Sequence, residues 1–446
     1  MAAGLMIAAV AYASFARGAS HGAQFSIVLA MCVAGLCLEL GQRAPLGLVD
    51  FRHPLVIAVL LSIATLISAA AADSIGTALP VFGLILVVTA ALIVAGGQPP
   101  EVTNALIQGL TGCAVLVAAT AWIGVAFHHR PWALPIEDLW RGASTITYSN
   151  AAASFLGMML VVAFARLAYS PSRSGAITCW ALAVGLTTTM SRAGIASTAI
   201  GLAIVALAAG LRRSSRAAFL VAPGVVLTVA GLLPGIRHLY PARPVLATAG
   251  ALLGMVLVFM SWSRVTLAVT IMVCVLTAYL AAGLSDGTDE VVSQVGRTRL
   301  VVTSDDRAHE WHAAYLEFTA HPLLGQGPGL ATYTWTNPDG RHIGAKYAHN
   351  EYLELLANNG IVGLAALVTA IAVLAHGIRM NRPPQTGLDD GHRIGIAAAL
   401  TAFMIHSALD FLWHIPLLPL TAALLAGSLL RPTRSHMRQH RTPEFG

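Results

Sequence analysis

Charge is what this chain has least of. Only 10% of its 446 residues are Asp, Glu, Lys or Arg, and 57% are hydrophobic. Soluble domains carry about 25% charged residues, so a fold bathed in water on all sides is excluded. Lysine is nearly missing: of 26 basic residues only Lys346 is one, and the arginines are scattered between apolar runs. A formal charge of +6 without a basic stripe or interleaved aromatics does not indicate a nucleic-acid partner. The five cysteines, Cys32, Cys37, Cys113, Cys179 and Cys274, all lie in apolar stretches, which argues against a disulfide framework or a thiolate metal site. HEWH at 309–312 sets two His three apart, whereas HExxH needs four to aim both rings at one ion. P-loop, dinucleotide and nucleophile-elbow patterns are missing too. No metal and no cofactor is expected.

Long apolar runs are what the chain does have. Its mean hydropathy is +0.73, and stretches such as VIAVLLSIATLISAAAA (56–72) and ALIQGLTGCAVLVAATAWIGVAF (105–127) recur along it. About 18 or more apolar residues cross ~30 Å of hydrocarbon as helix. The pattern predicts an all-α, polytopic integral membrane bundle of about 12–14 transmembrane helices. Spans fall near 2–16, 24–40, 54–72, 77–96, 104–127, 148–169, 175–190, 193–211, 217–234, 244–261, 264–283, 351–377, 394–412 and 414–430. The first is short, and 175–211 reads either as two spans or as one broken helix. No basic region precedes the first apolar run, so a cleaved signal peptide is not expected. The chain divides into N-terminal membrane helices (1–174), a core with the long hydrophilic loop 284–350 (175–377), and C-terminal helices with a basic tail (378–446).

Positive charge in short loops marks the cytoplasmic side. RRSSR (212–216), Arg379, Arg382, Arg393 and the tail RPTRSHMRQHR (431–441) fall on one side with Arg43, Arg52 and Arg173. Both termini then lie in the cytoplasm. The loop 284–350 and the connections at 128–147, Arg192 and 236–243 lie outside; Arg237 and Arg243 run against the bias. Within the loop, TSDDRAHEWHAAYLEFTAHP (303–322) predicts a helix capped by Ser304 or Asp305 and ended by Pro322. Trp311, Ala314, Tyr315 and Phe318 share one face, suited to the membrane surface. The three Gly and one Pro of LLGQGPGLATYTW (323–335) force a tight bend.

Polar groups stand out against this background. Arg192, in TTTMSRAGIAS (187–197), has Ser191 before it and Gly194 just after, leaving room for a ligand. Its fork suits phosphate oxygens; snorkelling to lipid headgroups is the alternative. Arg307 opens the loop helix and either binds an anion or pairs with Asp305, Asp306 or Glu310. His349 stands with Asn350 at the entrance of the 351–377 span, where a His accepts a proton near neutral pH or simply supports the fold. Asn350 could orient it or hold a sugar hydroxyl. Lys346 and Tyr347 either bind phosphate and stack on sugar, or anchor the helix in the headgroup zone. In MIHSALDFLWHIPLLP (404–419), His406, Asp410 and His414 follow i, i+4, i+8 spacing and would share one helix face, as a proton relay or a buried packing cluster.

Four stretches in order, SRAG (191–194), RAHEWHAAYLEFTAHPLLGQGPG (307–329), AHNEYLELLANNGIVGL (348–364) and HSALDFLWHIP (406–416), resemble the bacterial O-antigen ligase and polymerase family of membrane glycosyltransferases. They run through a little over half the chain; the N-terminal spans are similar in hydropathy only. The resemblance implies a helical, GT-C-like membrane enzyme that moves a glycan from an undecaprenyl-pyrophosphate donor. The acceptor would be another lipid-linked glycan, a lipid A core or a protein. Arg192 and Arg307 would hold the pyrophosphate, and His349 would activate the acceptor hydroxyl. Lys346, Tyr347, Asn350, Glu351, His406 and Asp410 are then the candidate substrate contacts. Relatives invert the anomeric centre, and catalysis without a metal is expected because a pyrophosphate leaving group has low basicity and cations at hand. They often carry Glu where this chain has Asn358, so a base at that position is not expected, although Glu351 or Glu354 could replace it. Two other readings remain. One is a secondary transporter or permease. The other is a cell-wall glycan polymerase of the shape, elongation and division class, with Asp305 or Asp306 as base.

Overall fold

The computed structural model describes residues 1–42, 51–136, 138–260, 305–336, 340–380 and 388–430. The expected span at 264–283, the cap at Ser304 and the basic tail lie outside the described residues. Among those described are fourteen α-helices, and the fold is an all-α membrane bundle. Among the described residues, eight helices are long and apolar enough to cross a membrane. In chain order the helices are α1 (Ala2–Phe15), α2 (Gly22–Gln42), α3 (Arg52–Ala71), α4 (Ile75–Gly96), α5 (Pro100–Ala126), α6 (Ser149–Tyr169) and α7 (Arg173–Thr188). Then follow α8 (Arg192–Ala209), α9 (Leu211–Leu232), α10 (Pro244–Met260), α11 (Asp305–Ala320), α12 (Glu351–Met380), α13 (Asp390–Ser407) and α14 (Leu417–Leu429).

Helix α6 is the hub. It is apolar all round, and almost every residue from Ser149 to Ala168 is buried, as expected of a helix surrounded by others. Small residues let its neighbours approach closely. A side-chain carbon at Gly194, Gly157 or Gly201 would stand within 3.0 Å of Ala153, Thr198 or Val161 respectively. These pairs advance together along both chains, so α6 and α8 run parallel. Helix α7 crosses between them in sequence, and the stretch 175–211 is therefore two spans. Ser172, Ser191 and Asp389 cap α7, α8 and α13 by accepting from Gly175 N, Gly194 N and His392 N.

The odd-to-even connections gather at one end of the bundle. Between α5 and α6 lies a hairpin of β1 (Ala133–Ile136) and β2 (Leu139–Gly142), with Ala133 opposite Gly142. Trp140 N donates to Ile236 O at 2.8 Å in the α9–α10 connection, and Thr145 Oγ1 donates to Ser14 O at 2.6 Å beside the α1–α2 turn. A second hairpin, β3 (Tyr333–Thr336) with β4 (His342–Ala345), joins α11 to α12 at the same end.

The glycine-rich bend after α11 repairs a break in α12. Gly360 has φ 61° and ψ −163°, so the helix ladder is interrupted there. The bend supplies substitute bonds: Ile361 N and Val362 N donate to Pro322 O and Leu323 O, at 2.9 and 3.2 Å. In return Gln326 N and Gly327 N donate to Ala357 O and Asn358 O, at 2.9 and 3.0 Å. Buried backbone groups need such partners. Ser68 Oγ and Thr77 Oγ1, flanking the α3–α4 turn, donate to Leu324 O and Pro328 O at 2.7 and 2.6 Å and hold the bend from the other side.

Candidate functional site

Helix α11 brings the loop's polar groups to the bundle. It rests on the outer half of α12 through Ala313 and Ala314, which pack with Tyr333, Ala348 and Ala357. The buried face is centred on Glu310, Ala313 and Ala314. Of the face formed by Trp311, Ala314, Tyr315 and Phe318, Ala314 is buried in this contact and Tyr315 is 52% exposed.

Asp410 is the centre of the first cluster. It is fully buried, and its oxygens accept from Tyr148 Oη at 2.7 Å, from Asn150 Nδ2, and from Phe411 N at 2.8 Å. Arg307 Nη2 approaches it at 3.5 Å. Burial first, and the Asp410 carboxylate second, hold the Tyr148 hydroxyl well above the ordinary phenol range, so it remains a donor. Arg141 extends the cluster toward α8. Its Nη2 donates to Asn150 Oδ1 at 2.9 Å and its Nε to Thr189 O at 3.1 Å. Thr189 lies in the turn that ends at the Ser191 cap, and Arg192 is the first residue of α8. The arrangement thus ties the Arg192 turn, through Arg141 and Asn150, to the carboxylate that faces Arg307.

His349 is the centre of the second cluster. Its Nδ1 lies 2.9 Å from Glu310 Oε2, at ion-pair distance but without in-line hydrogen-bond geometry. Trp311 Nε1 donates to His349 O at 3.3 Å, and the backbone there is left-handed, φ 48°. The imidazole meets Phe411 edge-on at 4.7 Å. Burial pulls its pKa down, but the Glu310 and Asp410 carboxylates outweigh burial and the opposing Arg307, so it sits above the usual histidine value. Phe411 is also the middle of a ring stack, with Tyr148 at 5.0 Å and Tyr347 at 4.6 Å. Tyr347 in turn meets His414 at 4.2 Å.

The remaining expected residues divide. Lys346 is exposed and lies over the Tyr347 ring at 5.1 Å. Asn350 Oδ1 accepts from Tyr352 N and Leu353 N, both at 3.1 Å, so that oxygen caps α12. Glu351 is buried and accepts from Trp413 N. Glu354 accepts from Ala348 N at 3.1 Å and meets His414 Nε2 at 2.5 Å. Asn358 serves as scaffold: its Oδ1 accepts from Gly329 N and Ala331 N at 2.9 and 3.3 Å, fixing the bend.

One expectation is corrected. His406, Asp410 and His414 do not share a helix face, because α13 ends at Ser407 and a short 3-10 turn, Leu412–His414, precedes α14. The chain turns back at Asp410, whose carboxylate accepts the next residue's amide. His406 remains in α13, 1% exposed, against the α8 N-terminal turn at Gly194. Its two ring nitrogens have no hydrogen-bond partner. Sequence reasoning also missed Arg141, Tyr148 and Asn150, which carry no recognisable spacing, and it met Glu310 only as the Glu inside HEWH and as a pairing option for Arg307, not as the partner of His349.

These features define a class: a multi-pass helical membrane protein with arginine, histidine and carboxylate clusters assembled at one end of the bundle by a loop helix. Residues 239–368 of the chain match the family model described as O-antigen ligase. The match runs from the α9–α10 connection to the middle of α12. It takes in Arg307, Glu310 and His349, and leaves Arg192 and Asp410 outside. A search of the curated proteins finds no match. The matched segment associates the chain with glycan ligation or polymerisation, by glycosyltransferase-type activity, in the inner membrane.

Proposed function

We propose that this protein transfers a glycan from an undecaprenyl-pyrophosphate donor to an acceptor hydroxyl on the external face of the cytoplasmic membrane. The reaction is polymerisation or ligation of an O-antigen or exopolysaccharide. One observation carries the reading: α11 sets Arg307 against the Asp410 cluster and Glu310 against His349, so a cation and a base face one end of the bundle together. The acceptor oxygen attacks the anomeric carbon while the bond from that carbon to the pyrophosphate oxygen breaks. The leaving pyrophosphate takes the bonding electrons, and the acceptor proton passes to His349 Nε2. Arg192 and Arg307 stabilise charge that grows on the leaving group, which lowers the barrier more than it strengthens donor binding. A pyrophosphate with two arginines leaves without help from a metal, and attack from the opposite face inverts the anomeric centre.

Orientation follows from the arginines. At the far end Arg212, Arg213, Arg216, Arg379 and Arg393 lie in or beside short connections, which favours a cytoplasmic place for that end and for both termini. At the site end Arg130 and Arg237 lie over the Trp140 and Tyr240 rings, and Arg141 is bound as described. The test is transfer in vitro from an undecaprenyl-pyrophosphate glycan by purified wild type, Arg192→Ala, Arg307→Ala and His349→Ala. Each variant is expected to lose at least about 100-fold in kcat/KM, the scale of one lost charge-stabilising donor or base. Full activity of folded His349→Ala and Arg192→Ala refutes the assignment.

A further inference from the structure

Glu310 is 7% exposed, an unusual place for a carboxylate on an external helix. It lies three positions after Arg307, so both fall on the face of α11 turned toward the site. The next residue, Trp311, grips the same histidine by its backbone carbonyl. His349 is thereby held at two points by adjacent residues of one helix, and at a third by the Phe411 ring edge. Its left-handed backbone is a conformation a non-glycine residue keeps only when surrounding contacts impose it.

We propose that Glu310 is the positioning residue for His349: its carboxylate draws the imidazole proton to Nδ1 and leaves the Nε2 lone pair directed at the acceptor hydroxyl. The direction rests on the glycan-transfer reading; the pairing does not. Which ring nitrogen carries the proton is decided by what the other one meets. Here Nδ1 meets a buried carboxylate oxygen at 2.9 Å. When the acceptor proton arrives at Nε2, the same carboxylate stabilises the resulting imidazolium.

The groups facing His349 set the sign of the pH effect. Glu310 on α11 and Asp410 after α13 favour the protonated ring, and Arg307 on α11 opposes it. A base works only when unprotonated, so wild-type activity falls on the acid side at a pH above the ordinary histidine value. Removing the Glu310 charge moves that acid limb downward.

The experiment uses the full chain in nanodiscs with 15N-labelled histidine, the His349 signal being assigned by its loss in H349Q. Wild type is expected to show the Nδ1–H tautomer at a pH above its titration midpoint. In E310Q that bias disappears and the titration midpoint falls. The transfer assay should show kcat down roughly 10–100-fold, the scale of losing a group that orients a histidine, with donor KM within twofold and the acid limb shifted down. E310D should recover part of the rate. A His349 tautomer and midpoint unchanged in E310Q overturn the proposal, whatever the substrate. A shifted midpoint together with fully active H349Q supports the pairing and overturns the assignment of His349 as base, whereas a shifted midpoint with no transfer by wild type overturns the glycan-transfer reading.

Discussion

Replacing Gly325 by Ala tests how the loop is anchored. A side-chain carbon there would stand 2.3 Å from the Asn358 carbonyl carbon, 2.4 Å from its oxygen and 2.4 Å from Asn359 N. Non-bonded carbons prefer about 3.5–4.0 Å, and the obstacle is backbone, so neither side yields by rotating a side chain. The bend must lift, and the four hydrogen bonds that close the α12 break lift with it. At about 1 kcal/mol each they sum to about 4 kcal/mol, and the left-handed conformation, φ 70°, adds about 1 kcal/mol. Gly340 is the control. It too has positive φ, 82°, but none of the described residues lies within 4 Å of an added carbon, so Gly340→Ala costs only the ~1 kcal/mol of conformation. Thermal unfolding in detergent, followed by size exclusion, should show a shift about fivefold larger for Gly325→Ala. Equal shifts would refute the claim that the bend is bonded into the helix break.

Two further outcomes follow from the Asp410 cluster. Asp410→Asn replaces an acceptor with a donor among groups that already donate, and removes the charge facing Arg307. It should cost about 3 kcal/mol, the low end for breaking a buried pair because Arg307 keeps some access to water, and lower transfer in the same assay; a variant with wild-type melting and turnover contradicts the network. Arg141→Lys cannot span both Thr189 O and Asn150 Oδ1, because the donors of a lysine all sit on one nitrogen and lack the reach of the planar guanidinium fork. Donor KM should rise in steady-state kinetics, with a stability loss of about 1 kcal/mol, and an unchanged KM would detach Arg141 from the Arg192 turn.

Hydropathy made the bundle legible because a membrane span is a composition before it is a shape. The glycine-rich bend was equally visible, since it rests on local backbone chemistry, whereas Ser191 read as room for a ligand and proves to cap α8. The 404–419 stretch misled for the same reason that the spans did not. Its apolar residues continue a helical period past Ser407, whereas the decisive event is a buried aspartate bonded to its own neighbour's amide. Asn358 read as a missing carboxylate, and only the bend's position shows that its oxygen is needed as an acceptor for Gly329 and Ala331. Tyr148 and Asn150 could not be found by pattern, because their partner Asp410 lies some 260 positions along the chain, nor could Arg141, whose partner Thr189 lies 48 positions on.

The loop helix links the two clusters in a way neither shows alone. Arg307 and Glu310 are separated by less than one helical turn, and each reaches a different part of the bundle: Asp410 after α13, and His349 before α12. The bend that follows α11 is bonded into α12 and braced by Ser68 and Thr77 of the α3–α4 region. A rigid helix fixed at its far end and touching both clusters at its near end cannot set the spacing of one without setting the other. Under the proposed chemistry, the leaving-group cation and the acceptor base are therefore placed by a single element. Displacing α11 by any route, at Gly325, Asp410 or Glu310, should impair both roles together, and double variants drawn from these three should fall short of additive losses in transfer rate.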